Sequence, residues 1–592
     1  MSSKKTVAQI IVDVLAEAGV KHCYGIVGDT LNQISSAIKK SDIEWVHVRH
    51  EEVGAFAAGA EAYLTDQITA CAGSCGPGSL HFINGIYEAQ RNRVPVILLA
   101  SQLGTAQQGT DFPQEVDFET LYKNCSVFCR QINDPTQVRQ ITTAAIQAAI
   151  NQRGVAVLVI PYNISLEKVE DNSGHKIYHP HPVIRPSDKE LAEIARLLNE
   201  SHKVTIFAGQ GVCEAHDELI ALANKLKSPI VHTSRAKDFV EYDNPYNVGM
   251  TGMFGMASGT TAIKECDVLL MLGADFAWSQ FYPNNAKIIQ VDIDATHLGR
   301  RHPVDLGVVG SSKPTIAVLL SLVDDKQDAT FLELCQNLYT KSMCKLNKKT
   351  VSSRSTIHPQ YLTELVDQYA TEDAVLCADV GSAMVWACRH FNTNGKRRTV
   401  ISLKHGTMAN AMPQALGVQK AFPNRQVITL SGDGGISMLL GDLLTTIQEK
   451  LPIKVIVLNN GSLNFVELEQ KVEGLVDHYT DLQNPNFAKV AEAMGMFSIS
   501  VDDSQMLEAA MQSFLAHPGP ALLDVKTSAN ELVMPPEIHA SQVMGMALYG
   551  VKASLNGKIG DVVNLLVDNF IKNNPAQPSV CIDHTKELIN IF

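Results

Sequence analysis

The chain has 592 residues, 45% hydrophobic and 19% charged. That is the composition of an ordinary folded protein, and the length exceeds what one hydrophobic core supports, so about three or four domains are expected. Lys and Arg number 49 against 62 Asp and Glu, and the net charge of −13 comes without a basic stripe, which argues against nucleic acid as a partner. The 12 cysteines are dispersed; Cys71 and Cys75, like Cys125 and Cys129, miss the CxxC spacing of zinc and redox sites, so reduced thiols in a cytoplasmic protein are expected.

Lys4 and Lys5 precede an apolar run that Asp13 and Glu17 interrupt, which is unlike the core of a signal peptide. Val7, Ile10, Ile11, Val14, Leu15 and Ala18 recur at helical spacing, and Gly19 stands where a C-terminal cap belongs. Short apolar strands then alternate with helices: 24–27, 68–73 and 94–100 are separated by helical segments such as 51–64, and a further strand covers 155–161. A Pro- and His-rich linker at 179–190 leads to a second unit with strands at 204–211, 268–275 and 287–294. A polar, Lys-rich stretch at about 324–356 precedes a third unit with strands at 374–381, 427–435, 453–460 and 521–527. Near-continuous apolar strands alternating with helices imply parallel sheets covered on both faces. The expected architecture is therefore α/β, with three doubly wound parallel-sheet domains at 1–180, 185–340 and 341–530 and a C-terminal tail at 531–592. No apolar stretch approaches the roughly 20 residues that span a bilayer.

The most informative segments are SGDGGISM at 431–438 and VIVLNNGS at 455–462. Gly432-Asp433-Gly434 and Asn459-Asn460 each end an apolar strand, where ligands of open α/β sheets bind. Asp433 offers a carboxylate and Asn460 an amide oxygen, a pair suited to octahedral Mg²⁺. The glycines let backbone N–H groups approach a phosphate, and the following helix turns its positive end toward it.

This pairing of GDG with NN is the signature of thiamine-diphosphate enzymes, and further motifs extend the likeness from Val7 to about Pro536. Residues 49–62, 71–96, 240–255 and 405–417 resemble the pyruvate oxidase branch of that family, its bacterial ubiquinone-dependent pyruvate dehydrogenases most closely. The resemblance makes Glu51 the carboxylate that hydrogen-bonds the cofactor's pyrimidine ring and favours the imino form that removes the thiazolium C2 proton. By itself, a Glu opening a helix reads as a partner of the helix dipole.

On the same basis Val380, Gly381, Ser382, Gly406, Thr407, Gly434 and Gly435 hold the diphosphate, and Asn460, Gly461, Ser462, Leu463 and Asn464 form the adjoining cofactor loop. Asp433, Asn460 and the Ser462 carbonyl hold the metal. Met408 props the cofactor into its bent form, although alone it would read as a core methionine. Phe465, Val466 and Glu469 match the substrate side. The central unit matches a flavin domain. There Gly209-x-Gly211 resembles a phosphate turn with Glu214 in the third glycine's place. Thr251, Gly252, Met253 and Phe254, then Ala274, Asp275, Phe276, Ala277 and Trp278, align with FAD-contacting segments, and Asp292 with an acceptor of ribose hydrogen bonds.

The implied reaction is oxidation of pyruvate to acetate and CO₂ with thiamine diphosphate, Mg²⁺ and FAD, electrons passing to ubiquinone or another acceptor. The implied assembly is a homotetramer in which Glu51 of one subunit faces the diphosphate domain of another. The rivals are an acetohydroxyacid synthase-type carboligase, a phosphate- and oxygen-dependent pyruvate oxidase, and a regulator that has lost catalysis. Two departures stand out. Where the family often has Phe-Gln-Glu in the loop facing the active site, this chain has Phe112-Pro113-Gln114-Glu115, and Asn464 stands where the quinone-dependent relatives have Gly. The tail adds an amphipathic segment at 559–573, with Ile559, Val562, Val563, Leu566, Phe570 and Ile571 on one face and few basic residues. It is read as a peripheral contact with the inner face of the cell membrane.

Overall fold

The computed structural model describes residues 4–171, 174–347, 350, 357–476, 478–529 and 531, with 544, 546, 548–550, 552 and 553 in the C-terminal region. The first helix, Val7–Glu17, starts at Thr6, whose side chain caps the Gln9 N–H while the Gln9 side chain returns to Thr6 in a capping box.

Three sheets of six strands each organise the chain. In the N-terminal sheet the spatial order is Glu44–His47, His22–Gly25, Thr69–Gly73, Val96–Gln102, Val155–Pro161, Phe128–Gln131, all parallel. The C-terminal sheet repeats this topology as Arg398–Ile401, Val375–Ala378, Val427–Gly432, Lys454–Asn459, Ala521–Lys526, Phe497–Val501. The central sheet runs Asn247–Met250, Ile230–His232, Val204–Ala208, Val268–Leu272, Lys287–Asp292, Leu306–Val309, the strand order of dinucleotide-binding domains. Three doubly wound parallel α/β domains are thus present, as the apolar runs predict.

Part of the polar stretch expected to link the second and third units is a helix, Thr330–Leu346. Phe331, Leu332 and Cys335 are its buried residues, at the spacing of one helical face against the central domain.

The N- and C-terminal domains share a core. Helix Glu51–Thr65 packs on helix Ala411–Ala421, and Ala57, Ala58, Ala415 and Leu416 lie in one buried cluster. Gly417 permits the approach, because a Cβ there would stand 1.9 Å from the Ala57 carbonyl oxygen. Backbone cannot yield as a side-chain tip does, so Gly417→Ala is expected to cost about 1–3 kcal/mol or more through overpacking. Chemical unfolding should show the lowered midpoint.

Candidate active site

Four loops at the carboxyl ends of neighbouring C-terminal strands bring the predicted diphosphate and metal residues together. Asp433 opens helix Asp433–Met438 and is 2% exposed. Its Oδ1 accepts the Gly434 N–H at 2.9 Å, and its Oδ2 accepts the Gly461 N–H at 2.7 Å and Asn484 Nδ2 at 2.7 Å. Burial pushes its pKa up despite these donors, so a cation beside it would supply the compensation that the protein withholds. Asn460 turns its Oδ1 to the Ser462 N–H at 3.0 Å, and Asn484 also reaches Asn459 Oδ1 at 3.2 Å. Asn484 was not foreseen: in the sequence, Asn484-Pro485 reads only as a turn.

Three glycines of this site face space, whereas a Cβ on Gly435 would stand 2.5 Å from Asp379 Oδ2. A Cβ added to Gly381, at φ +125°, to Gly406, at φ +78°, or to Gly432 would meet nothing within 4 Å. An open cradle lined by three glycines beside a buried carboxylate fits a diphosphate with its metal. Gly434 adjoins Leu463 and Met408, whose Cδ2 and Cε lie 2.6 and 3.3 Å from its would-be Cβ, so Met408 borders the cradle. Ser382 starts helix Ser382–His390, and the Val380 N–H donates to Asn410 Oδ1 at 3.2 Å.

Asp379, just before this turn, also escaped the sequence reading, although a carboxylate ending a strand is the same signal that marks Asp433. It is 1% exposed and accepts the Ala411 N–H at 2.8 Å; burial raises its pKa to about 7. An acid raised in the folded state stabilises below its unfolded pKa, and that contribution is lost as pH climbs through the folded value. In the cofactor-free protein the contribution of Asp379 to stability should therefore fall from the ordinary carboxylate range up to about pH 7. Asp379→Asn should flatten that slope in unfolding midpoints measured against pH.

On the substrate side Asn464 opens helix Asn464–Val472, and its Nδ2 donates to the Ala529 carbonyl at 2.5 Å. Glycine could not make this tie. Phe465 packs against the C-terminal core, Val466 is 44% exposed, and burial and then Glu473 raise the Glu469 pKa. Ser462 Oγ donates to Glu467.

Glu51 is the first residue of helix Glu51–Thr65 and is 8% exposed; its Oε2 pairs with His81 Nδ1 at 2.9 Å. The His81 ring stacks on His50. These contacts lie within its own domain, while Asn84 Nδ2 crosses to Thr407 Oγ1 at 3.1 Å. Beside Gly76, the loop with Pro113 closes on itself: Glu115 Oε2 accepts the Phe112 N–H at 3.2 Å. Gln114, at φ +71°, accepts from Cys75 Sγ at 3.2 Å, and Phe112 is 42% exposed.

In the central domain the candidate flavin residues gather at the carboxyl ends around the point where strand order reverses. Thr251 is buried with no partner for Oγ1. Gly252 adopts φ +95° beside the Phe276 ring, Met253 is 37% exposed, and the Phe254 carbonyl accepts from Arg389 Nε at 3.1 Å. Ala274 is buried and Ala277 exposed. Burial alone would raise the Asp275 pKa, but Arg300 and Arg301 hold it below the carboxylate range. Trp278 is 40% exposed and tilts on Phe276. Asp292, 6% exposed at a strand end, accepts the Asp294 N–H at 3.0 Å and has His297 Nδ1 at 3.0 Å. An orphaned buried hydroxyl, exposed apolar groups and a carboxylate at a strand end fit a dinucleotide.

Gly209 and Gly211 follow the strand Val204–Ala208, at the carboxyl end where the phosphate turn is expected. Their N–H groups already donate to the Leu272 carbonyl at 2.9 Å and the Gly273 carbonyl at 3.2 Å. A Cβ on Gly209 would stand 2.1 Å from the Gly273 oxygen, and one on Gly211 2.7 Å from the Gly273 Cα. These glycines let two loops touch, a close approach that a tight phosphate turn also uses.

No disulfide joins any of the 11 cysteines among the described residues. No helix among the described residues is long and apolar enough to cross a membrane, and the amphipathic segment at 559–573 lies outside the described residues.

Comparison with known proteins matches residues 5–121, 191–319 and 379–525 to the N-terminal, central and C-terminal domains of thiamine pyrophosphate enzymes. The chain is 34% identical over 555 residues to YdaP of Bacillus subtilis (strain 168), provisionally named a thiamine pyrophosphate-containing protein, covering 93% of this chain and 96% of that one. It is 29% identical over 525 residues to a pyruvate oxidase of Lactiplantibacillus plantarum, covering 87% of each. To an acetolactate synthase large subunit of Porphyra purpurea it is 28% identical over 575 residues, covering 92% of this chain and 96% of that one.

Proposed function

Because this chain belongs to the thiamine-diphosphate-dependent enzymes, with the N-terminal, central and C-terminal domains of that family, we propose that it oxidises pyruvate to acetate and CO₂ with Mg²⁺ and FAD and passes the electrons to ubiquinone. One observation carries the reading. A single chain combines the open glycine cradle around Asp433 with a central sheet in dinucleotide-binding order that ends in Thr251, Trp278 and Asp292. The balance is pyruvate plus water to acetate, CO₂, two protons and two electrons.

When bound, thiamine diphosphate supplies the carbon that adds to a 2-oxo acid and accepts the electrons released as CO₂ leaves, and FAD supplies the two-electron acceptor. In this reading Asp433, Asn460 and the Ser462 carbonyl hold Mg²⁺, and Val380–Ser382, Gly406, Thr407, Gly434 and Gly435 hold the diphosphate. Met408 supports the bend, and Gly461–Asn464 close the loop. Glu51 of one subunit accepts a hydrogen bond from the pyrimidine ring held by another, within a homotetramer. Phe465, Val466 and Glu469 border the substrate, with Val466 reaching open space. Gly209, Gly211, Thr251–Phe254, Ala274–Trp278 and Asp292 take the flavin. Docking of residues 559–573 on lipid completes the proposal; a flotation assay with the reduced, pyruvate-treated enzyme tests it, and absence from the vesicle fraction would refute it.

The test of the reaction is the visible spectrum of the purified protein with thiamine diphosphate and Mg²⁺, before and after pyruvate without oxygen. Bleaching of a flavin band, reversed by a ubiquinone analogue with acetate as product, is expected. The second reading, carboligation, is favoured by the comparable likeness to the acetolactate synthase subunit. Acetolactate among the products without bleaching would establish it, and acetyl phosphate formed only with phosphate would assign the phosphate-using oxidase.

A further inference from the structure

We propose that Glu88, in the N-terminal domain, is a positioning residue for the C-terminal loop Gly406–Thr407, acting through the hydroxyl of Ser402. The inference rests on the reading of that loop as part of the diphosphate cradle.

Glu88 lies on helix Ile83–Asn92, is 2% exposed, and stands apart from the pairing of Glu51 with His81. Its Oε1 accepts Asn92 Nδ2 at 2.7 Å and Gln414 Nε2 at 3.3 Å, and its Oε2 accepts Ser402 Oγ at 2.7 Å. Ser402 is fully buried, and its hydroxyl oxygen in turn accepts the N–H groups of Thr407 at 3.2 Å and of Gly406 at 3.1 Å, the latter shared with the Ser402 carbonyl at 2.8 Å.

The direction of these bonds is what matters. A hydroxyl has one proton and two lone pairs. A carboxylate can only accept, so it takes that proton and leaves both lone pairs for the two loop amides. The amides are drawn toward the protein, and Gly406 is held at φ +78° with its Cβ side open to the cradle.

The same helix grips the loop again one turn earlier. Asn84 Nδ2 donates to Thr407 Oγ1 at 3.1 Å, and Asn84 Oδ1 pairs with His405 Nε2 at 2.8 Å. Asn84 and Glu88, four apart, lie on one helical face, so a single face of the N-terminal domain sets the loop of its own chain. Burial pushes the Glu88 pKa up, opposed by the bonds from Ser402 and Asn92. Apolar side chains could join the two domains without that desolvation cost; what they could not do is fix which way a hydroxyl points.

The test compares the full chain with Glu88→Gln, Ser402→Ala and the double variant, measuring the dissociation constant for thiamine diphosphate at saturating Mg²⁺ and the thermal midpoint. Each single variant is expected to bind the cofactor about tenfold or more weakly, the scale of losses from the outer partners of a ligand-holding group. The double variant should be no worse than Ser402→Ala, because neighbours that act in series are not additive. Lowered midpoints with unchanged cofactor affinity would make Glu88 a structural joint and overturn the proposal, as would additive losses. Failure of the wild-type chain to bind thiamine diphosphate would instead overturn the reading of the cradle, and the inference with it.

Discussion

Asp433→Ala is expected to lower metal- and cofactor-dependent turnover by more than about a hundredfold, beyond the ~10–100-fold typical for losing an outer partner of a metal ligand. The carboxylate is nearly enclosed, and the backbone N–H groups of Gly434 and Gly461 with the Asn484 amide fix both its oxygens. It is therefore held ready in one orientation, and ligand affinity rises when a donor need not be ordered on binding. Asp433→Asn separates charge from shape: it keeps an oxygen for the neighbouring donors but cannot neutralise a cation. Asn484→Ala should fall within the outer-partner range, because it removes one of the three donors and leaves the carboxylate in place. Titration of the cofactor-free variants with Mg²⁺ and thiamine diphosphate, beside kcat, checks the series. An Asp433→Ala protein with wild-type affinity for both would show that another group holds the metal.

Glu51→Gln is expected to reduce kcat by about 10²–10⁴, the range for a positioned acid–base group, with cofactor affinity little changed. The carboxylate is buried at a helix N-terminus and has His81 Nδ1 at 2.9 Å, so its position does not depend on the cofactor. Gln matches its shape but offers an amide where the reaction needs a basic oxygen. The loss should therefore appear in kcat and in the exchange of the cofactor's C2 proton, followed by NMR, rather than in binding. His81→Ala, which removes only the orienting partner, should cost less. If Glu51→Gln exchanged that proton at the wild-type rate, Glu51 would be no more than a partner of the helix dipole.

The chemistry at the carboxyl ends of strands is legible in the sequence because it uses residues that a turn does not otherwise require. Asp433 and Asn460 end two central, fully buried strands, whose unbroken apolar runs make the strand ends easy to place. Asp379 sits in an equivalent place and passes unnoticed because no paired motif accompanies it. Gly209-x-Gly211 is less telling, because glycine serves both backbone–backbone contact, here with Gly273, and phosphate approach.

By itself the sequence determined three α/β units, most of their central strands and the strand-end positions of Asp433 and Asn460, because a strand covered on both faces must be apolar along its length. The edge strands Glu44–His47, Phe128–Gln131 and Phe497–Val501 left no such run, since each carries exposed positions. The interior strand Ile230–His232 was too short to register. Tertiary structure alone decided the partners: that Asn484 holds Asp433, that Asn464 ties to Ala529, and that Glu88 reaches Gly406 and Thr407 through Ser402. Each of these contacts joins residues far apart in the chain through one or two hydrogen bonds. Local periodicity reports which face of an element is buried, and it carries no information about which distant group lies against that face.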